Sequence, residues 1–389
     1  GGGIVEAVSK MAFGNKVGVQ FEKDSWINIE NLLSPEYGSI VVEFNDEVKV
    51  EEELKDISYK LLGETTAESY FSIGDEKIDL DKLIQGWEAP LESVFKTKTE
   101  AIHMNIENIE YDSEVKRVSV LKNIKPEVFI PVFPGTNCEY DTSRAFQRVG
   151  AKSNIVVFKN NSIVDIEDSI EAMVKAINSC NILMIPGGFS AGDEPDGSGK
   201  FIATVFRNER IKEAAMNLLN KRDGLALGIC NGFQALIKLG LVPYGEIREI
   251  TEDSPTLTYN KIGRHVSRMV RTKIASNKSP WFSNVNVGDT FTVPVSHGEG
   301  RFVACEEEIK RLIANGQIAT QYVDFNGNAT YDIEFNPNGS YYAVEGITSP
   351  DGRVLGKMAH SERIGENVSI NVYGEMDMKI FKSGVEYFK

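Results

Sequence analysis

The sequence predicts an α/β protein with a mostly parallel sheet and helices on both faces, preceded by a smaller α+β domain. In the second part of the chain, short apolar strands at 129–133, 154–158 and 181–185 alternate with segments of helical length. This alternation is typical of right-handed crossovers between parallel strands, which place helices against the faces of the sheet. The first part mixes strand and helix patterns without regular alternation, as α+β domains do.

The length of 389 residues is sufficient for two or three domains with their own cores. We expect a first domain at 1–110, a charged linker at 111–126 and a second domain at 127–389. The chain starts with three glycines and an apolar helical pattern, without an initiator Met. We therefore expect it to be a piece of a longer polypeptide.

Composition and charge argue against several classes of protein. A net charge of −15 without a Lys/Arg-rich block argues against a nucleic-acid partner, because phosphate contacts need a basic surface. No apolar run is long enough to cross a bilayer and no signal peptide is present, so we expect no membrane partner and a cytoplasmic location. The cysteines form no CxxC pair, which predicts neither a disulfide framework nor a metal site. They are Cys138, Cys180, Cys230 and Cys305.

The apolar periodicity of the first domain predicts helices at 4–12, 51–61 and 80–108 and strands at 17–21, 38–44 and 70–73. Among the strands, 38–44 (GSIVVEF) has a particularly clear apolar pattern. The sequence contains no G-x-x-x-x-G-K-[ST] loop, so no nucleotide site is predicted by motif. The triplet Gly1 to Gly3 could either cradle a phosphate or form an ordinary loop.

The second domain has predicted strands at 129–133, 154–158, 181–185 and 225–229 and predicted helices at 141–149, 166–178 and after residue 230. Three of these strands end in the loops PGTN, PGGF and GICNG. In open α/β sheets, binding sites form where the carboxyl ends of strands meet loops. We therefore expect a functional site where these three loops meet.

Cys230 lies between the last of these strands and the helix that follows it. Gly228 and Gly232 flank it with the G-x-nucleophile-x-G spacing that lets a tight elbow expose a side chain above the sheet. A cysteine at a helix N-terminus is also stabilised as the thiolate by unpaired N–H groups and the helix dipole. These features predict a nucleophile. The alternative is a buried cysteine that only packs.

The loop Pro186-Gly187-Gly188-Phe189 follows a strand directly. Two glycines leave backbone N–H groups accessible to a ligand, as an oxyanion hole requires. The alternative is a plain type II turn that uses glycine for its positive φ. A nucleophile on a neighbouring strand favours the oxyanion hole.

A cysteine nucleophile needs a base, and the sequence has four histidines. His360 precedes Glu362 by two residues, so the carboxylate can reach the imidazole and fix its tautomer. His297 has the same relation to Glu299 and is the rival base. His103 and His265 have no carboxylate within two residues, and a packing or surface role is expected for both.

The segments GICNGFQ, PGGFSAGDEPDGS, FPGTNCEYDT, VSHGEGRF and AHSER closely resemble the glutaminase domain of the phosphoribosylformylglycinamidine synthase family and, more broadly, the class I (triad) glutamine amidotransferases. The resemblance covers roughly residues 126–389 and implies a flavodoxin-like fold. Residues 1 to about 125 resemble the tail of that family's synthetase portion, whose fold is similar to the C-terminal domain of aminoimidazole ribonucleotide synthetase. That weaker match rests on GGGIVEAVSKMAFGNKVGVQ, SPEYGSIVVEF and TAESYFSIG. Ser361 departs from the proline that many members have.

The resemblance implies that Cys230 attacks the side-chain amide of glutamine, with His360 as base and then acid and Glu362 orienting the imidazole. It implies an oxyanion hole formed by the backbone N–H groups of Gly188 and Asn231, with Gly187 and Gly188 as the glycine pair of the loop. Weaker candidates for lining the glutamine pocket, each with a packing role as the alternative, are Asn137, Phe189 and His297.

The implied partners are glutamine and upstream synthetase domains of the same polypeptide. The implied enzyme is a purine-pathway ligase with glutamine as nitrogen donor, in which released ammonia reaches a synthetase site where ATP and Mg²⁺ support amidine formation. No cofactor is expected in this chain itself. Two rival functions remain open: a stand-alone hydrolase or chaperone with a cysteine elbow, and a non-catalytic regulatory or assembly module. Release of glutamate from glutamine would separate both rivals from a glutaminase.

Overall fold

The computed structural model describes residues 2–23, 27–100, 106–114, 117–122, 124–190, 198–365, 367–370 and 372–389. They belong to two compact units, Gly1–Thr97 and Lys98–Lys389. His103 and the part of the PGGFSAGDEPDGS segment at 191–197 lie outside the described residues.

The first unit is an α+β fold. Its elements are α1 (Gly3–Phe13), β1 (Gly18–Phe21), α2 (Ile29–Leu33), α3 (Val50–Glu53), β2 (Gly63–Thr66), β3 (Tyr70–Ile73), β4 (Glu76–Asp79), α4 (Leu80–Glu88) and a 3-10 turn (Ala89–Leu91). The sheet has the order β2-β1-β3-β4, with β1 and β3 parallel and the other pairs antiparallel. Its small core includes Phe21 and Phe71, whose rings meet edge to face 5.8 Å apart.

Three predicted elements of the first unit were wrong in type or length. Segment 38–44 is not a strand: Ile40 is 85% exposed, and no described strand pairs with the segment. The helix predicted at 51–61 is reduced to α3, which buries no side chain, and a short helix without a packed face is only marginally stable. The helix predicted at 80–108 ends at Glu88, because Pro90 lacks the N–H that would continue it.

The glycines at the start of the chain begin α1 and are explained by local contacts. The N–H of Gly2 donates to the Glu6 carboxylate at 2.5 Å. A Cβ on Gly3 would lie 2.3 Å from the Leu32 carbonyl oxygen, so glycine permits the close approach of α1 to α2.

The second unit contains the predicted alternation of strands and helices. Its elements are β5 (Glu127–Val132), α5 (Glu139–Arg148), β6 (Lys152–Val157), α6 (Ile163–Ser179), β7 (Ile182–Ile185), α7 (Lys200–Phe206), α8 (Glu209–Asn220), β8 (Leu225–Ile229), α9 (Asn231–Leu239), α10 (Leu241–Tyr244), β9 (Thr256–Thr258), β10 (Val266–Ile274), β11 (Thr290–His297), β12 (Arg301–Val303), α11 (Glu306–Ala314), β13 (Ile318–Tyr322), β14 (Val344–Thr348), β15 (Val354–Lys357) and α12 (Ile380–Glu386), with 3-10 turns at Pro280–Phe282 and Tyr341–Ala343. No helix in the described ranges is long and apolar enough to cross a membrane.

The large sheet has the order β11-β10-β13-β14-β15-β8-β7-β5-β6. Its five strands from β15 to β6 are parallel, and the other four extend it as an antiparallel arm. Strands β7 and β8 are fully buried, as continuous apolar strands of parallel sheets are. The helices form packed groups, α6 with α8, α7 with α9 and α5 with α12. The predicted fold class is confirmed, and the antiparallel arm is an addition that the sequence pattern did not specify.

The sheet curls strongly at its antiparallel end. In a flat sheet β11 would lie four strand spacings from β15, roughly 19 Å. Instead the His360 N–H, just beyond β15, donates to the Pro294 carbonyl oxygen of β11 at 2.8 Å. The edge strand therefore returns over the carboxyl end of β15.

The expected domain boundary at 110 and the expected linker at 111–126 both lie within the second unit, Lys98–Lys389. The N–H of Ile109 donates to the Gln321 side chain at 2.8 Å, and that of Tyr111 donates to the Ala275 carbonyl oxygen at 2.8 Å. These contacts fasten the described part of the segment to the antiparallel arm.

Candidate active site

Cys230 occupies a strained turn between β8 and α9. Its φ of 54° and ψ of −108° are unusual for a residue with a side chain, and such conformations cost on the order of 1–3 kcal/mol. Its N–H donates to the Lys357 carbonyl oxygen at 2.8 Å, and its own carbonyl oxygen accepts from the Gln234 N–H at 3.0 Å. These two bonds hold the turn, and the side chain is 3% exposed.

The flanking glycines are required by close backbone packing. A Cβ on Gly232 would lie 2.0 Å from the Ile185 carbonyl oxygen of β7, and a Cβ on Gly228 would lie 2.7 Å from the backbone of Gly232. Only glycine permits these distances. Helix α9 thus begins directly against the neighbouring parallel strand.

His360 and Glu362 form a close buried pair. Nδ1 of His360 is 2.6 Å from Oε1 of Glu362, and each residue is 1% exposed. Burial alone would lower the pKa of His360, but the Glu362 carboxylate, followed by Cys230 and Cys138, outweighs burial and holds that pKa well above 6.5. Burial would raise the pKa of Glu362, but the His360 imidazolium outweighs it and lowers that pKa.

Cys230 and His360 both lie close to Gly187. A Cβ on Gly187 would be 2.8 Å from His360 Cε1 and 3.5 Å from Cys230 Cβ. The Cys230 thiol is 3.7 Å from the Ser296 carbonyl oxygen, and His360 Nε2 has no hydrogen-bond partner among the described residues. Hydrogen bonds between catalytic groups are often loose before substrate binds. The free Nε2 is the atom available to the thiol, because Nδ1 is held by Glu362.

The PGGF loop presents an unused N–H group beside the elbow. An isolated bridge pairs Gly188 with Thr136, and its hydrogen bonds run from Phe189 N–H to the Gly135 carbonyl oxygen at 2.8 Å and from Asn137 N–H to the Gly187 carbonyl oxygen at 3.3 Å. This pattern leaves the N–H of Gly188 without a partner among the described residues.

Asn231 provides a second N–H group at the elbow. As the first residue of α9 it has no intrahelical acceptor for its N–H. Its buried side chain is engaged elsewhere: Nδ2 donates to Gln234 at 2.9 Å and Oδ1 accepts from the Ser190 N–H at 3.3 Å. The side chain therefore fastens the elbow to the PGGF loop while the N–H stays available.

The His297 ring is hydrogen-bonded to the side-chain amide of Asn260 and not to the Glu299 carboxylate that the sequence suggested. Its Nδ1 is 3.2 Å from Asn260 Oδ1, whereas the Glu299 carboxylate accepts from the Ser198 N–H at 2.7 Å. Burial, followed by the charges of His360 and His265, lowers the pKa of His297 to about 3. His297 is thus a neutral ring at pH 7, near His360.

The remaining pocket candidates lie at the rim of the site. Asn137 is exposed, and its Oδ1 accepts from the Cys138 thiol at 3.1 Å. The Phe189 ring lies 5.9 Å from that of His265. His265 is exposed and is 3.0 Å from Ser296 Oγ.

The structure brings Cys138 and Arg363 to the site, which sequence reasoning did not foresee. Cys138 Sγ is 3.9 Å from His360 Nδ1 and accepts from the Arg363 guanidinium at 3.2 Å. Cys138, His360 and Glu362 are close enough together to hold a metal ion. However, Nδ1 is already bonded to Glu362 and Sγ to Arg363, and a guanidinium opposes a cation. The available sequence signal was the position of Cys138 in a loop at the carboxyl end of a strand.

Replacing Gly232 with Ala should disrupt the elbow. The new Cβ would force α9 away from β7, and we expect the free energy of unfolding to fall by about 1–3 kcal/mol, as for other overpacked sites. Chemical denaturation measures the change. Gly298→Ala is the matched control, because a Cβ at that position meets no atom within 4 Å. Equal stability of the two variants would contradict the close packing described above.

The pKa values of the two buried histidines should be shifted in opposite directions, down for His297 and up for His360. NMR of the imidazole nitrogens should show His297 neutral down to about pH 3 and His360 still protonated above pH 6.5. Because the unfolded chain protonates His297 near pH 6.5 and the folded chain does not, this residue lowers stability as pH falls below 6.5, by about 1.4 kcal/mol per pH unit. The His360 contribution has the opposite sign: it is complete below pH 6.5 and is lost as pH rises through the folded pKa.

His297→Gln should therefore reduce the loss of stability between pH 6.5 and 3, with the unaltered chain as the reference. A His297 ring that titrates near pH 6.5 would contradict its burial as a neutral group.

Comparisons with known proteins show the family to which the second unit is similar. Residues 125–388 match the family model described as a CobB/CobQ-like glutamine amidotransferase domain. A Methanococcus maripaludis (strain C7) protein named phosphoribosylformylglycinamidine synthase subunit PurQ is 35% identical over 283 residues, which cover 68% of this chain and 98% of that protein. A protein of the same name from Chlorobaculum tepidum is 33% identical over 241 residues, which cover 62% and 89%.

Among solved structures, one described as the structure of PurLQS from Thermotoga maritima has 25% identity and a TM-score of 0.50. The match covers 68% of this chain and 100% of that chain. The family model spans most of the chain, and the match covers almost the whole length of the Methanococcus maripaludis relative. The chain therefore belongs to the glutamine amidotransferase family.

Proposed function

We propose that this chain is the glutaminase part of a phosphoribosylformylglycinamidine synthase, hydrolysing glutamine with Cys230, His360 and Glu362 to supply ammonia. The observation that carries this proposal is the buried imidazole, bonded to a carboxylate at 2.6 Å, which lies beside Gly187 together with the elbow cysteine. Nucleophile, base and orienting carboxylate are the groups that thiol-dependent amide hydrolysis requires.

In the first half of the reaction, Cys230 Sγ attacks the side-chain carbonyl carbon of glutamine. The oxyanion that forms is held by the N–H groups of Gly188 and Asn231, which have no other acceptor among the described residues. The proton from the thiol resides on His360 and passes to the leaving nitrogen, so ammonia departs and a glutamyl thioester remains.

In the second half, a water molecule attacks the thioester while His360 accepts its proton. The C–S bond breaks, glutamate leaves and the proton returns to Cys230. Glu362 keeps Nδ1 of the imidazole bonded throughout, so that Nε2 exchanges protons with the thiol, the leaving group and water.

The purine-pathway assignment rests on the relatives named phosphoribosylformylglycinamidine synthase subunit PurQ. We propose that Gly1–Thr97 is the tail of a synthetase portion of the C-terminal type found in aminoimidazole ribonucleotide synthetase, and that upstream synthetase domains are the partner that consumes ammonia.

ATP and Mg²⁺ are proposed to act in those synthetase domains. In this chain, Gly2 does not fit a phosphate, because its N–H already donates to the negatively charged Glu6 carboxylate. A stand-alone hydrolase and a non-catalytic module remain the rival functions, and both predict no ammonia release from glutamine.

Substitutions should separate the three roles. His360→Ala should abolish glutamate release, because no other described residue offers a base to the thiol. Glu362→Gln should retain a reduced rate, since the imidazole is present but misoriented, and general-base contributions are roughly 10²–10⁴-fold. His297→Ala should be the mildest. Glutamate release per folded protein is the measurement, and loss in His297→Ala as severe as in His360→Ala would refute the choice of base.

The chain alone should release glutamate without consuming ATP. When the chain is supplied with glutamine, ATP, Mg²⁺ and formylglycinamide ribonucleotide, we expect it to release glutamate at a low rate and to form no coupled ADP. Such glutaminase sites are activated when substrate binds the synthetase domains, and those domains are not supplied in this assay. Separate assays of glutamate and ADP decide this. ADP formed in proportion to glutamate would show that the chain contains a working synthetase site.

A further inference from the structure

A fully buried ion pair lies next to the residue that carries the proposed base. Nζ of Lys357 is 3.2 Å from Oε1 of Glu345, and both side chains have no exposed surface. Lys357 ends β15, and Glu345 lies on the antiparallel neighbour β14. Burying two charges is costly, and replacement by uncharged groups is often neutral or stabilising. Stability alone therefore does not explain the pair.

Both charges act on the peptide groups of Ala359, the residue immediately before His360. Lys357 Nζ donates to the Ala359 carbonyl oxygen at 2.6 Å, and Glu345 Oε1 accepts from the Ala359 N–H at 2.7 Å. Thr320 Oγ1 donates to the second oxygen of Glu345 and fixes the carboxylate. The ion pair thus holds both polar atoms of one residue in the turn after β15.

Lys357 also holds the nucleophile through its backbone. Its carbonyl oxygen accepts the Cys230 N–H at 2.8 Å. One residue is therefore bonded to the elbow by its main chain and to the turn before His360 by its side chain. A change in the Lys357 side chain would move the turn relative to the elbow without removing any group that meets substrate.

We propose that Lys357 and Glu345 are positioning residues that set the distance between Cys230 and His360. This inference rests on the proposed glutaminase function. Neither residue touches the thiol or the imidazole in the structure, so their effect is on geometry. Because displacement of a reacting group by about 1 Å can cost roughly a hundredfold in rate, the pair should influence turnover more than glutamine binding.

The test uses the double variant Lys357→Met with Glu345→Gln in the full chain. It removes both charges together, leaves no unpaired buried ion, and retains an amide oxygen that can accept the Ala359 N–H. The anchor on the Ala359 carbonyl oxygen is lost, and the bond with Thr320 Oγ1 reverses direction, with the new amide N–H donating to the hydroxyl. The control is Arg353→Met with Asp351→Asn at the opposite end of β15, which removes the ion pairs of Arg353 with Asp351 at 2.6 Å and with Asp223 at 3.7 Å. Asp223 keeps its ion pair with Arg117 at 3.2 Å.

Turnover is expressed per reactive Cys230, counted by labelling with a diazo-ketone analogue of glutamine and mapping the labelled peptide. We expect kcat per labelled site to fall roughly tenfold to a hundredfold in the Lys357–Glu345 variant, with KM changed less than about threefold and a melting temperature near that of the unaltered chain. The downfield NMR signal of the His360 Nδ1 proton should also shift. The control should keep its kcat per site and this signal.

An unchanged kcat per site in the Lys357–Glu345 variant, or an equal loss in the control, would overturn the positioning role alone. If the unaltered chain released no glutamate and was not labelled at Cys230, the proposed function would fall and the positioning role with it. The unaltered chain is measured in the same assay, so the two failures are distinguishable.

Discussion

The parallel pairing of β8 with β15 is the constraint on which the site depends. Ile229 and Lys357 are partners in this ladder, and each is the last residue of its strand. The elbow cysteine therefore follows one strand and the histidine follows the other at the same edge of the sheet, although they are far apart in sequence. The bond from the Cys230 N–H to the Lys357 carbonyl oxygen extends the ladder into the turn. Because both strands are buried at every position, a shift in their register would place each side chain against the opposite packed face and lose its packing.

Charge in the site is restricted to one of two neighbouring rings. His297 and His360 are both buried, and positive charge on His360 is one cause of the low pKa of His297. A second imidazolium would be repelled in a region where water screens little. The position of a carboxylate decides which ring is charged: Glu362 bonds His360, while Glu299 is turned to the Ser198 N–H and His297 receives only the Asn260 amide. The geometry thus separates two H-x-E motifs that look equivalent in sequence.

The features that could be predicted are those with local causes. Apolar runs predicted β7 and β8, and the G-x-C-x-G spacing predicted a tight turn that the backbone at Cys230 shows. Non-local features were out of reach. Asn260 meets His297 from 37 positions away and Arg363 meets Cys138 from 225 positions away. Segment 38–44 has strand composition, but composition does not provide a partner strand. The antiparallel arm was not specified, because long connections, 275–289 and 323–343, separate β10 from β11 and β13 from β14.

The antiparallel arm has a part in holding the site and is more than an extension of the sheet. Its edge strand β11 curls back, so that Pro294 accepts the His360 N–H and Ser296 accepts from the Cys230 thiol. Strand β14 contributes Glu345 to the turn before His360. The parallel half therefore sets where the turns with Cys230 and His360 begin, and the arm fixes how the turn with His360 continues. Each of these contacts is a hydrogen bond to backbone or to a buried charge, so the arm orders the surroundings of the thiol and the imidazole through fixed polar groups.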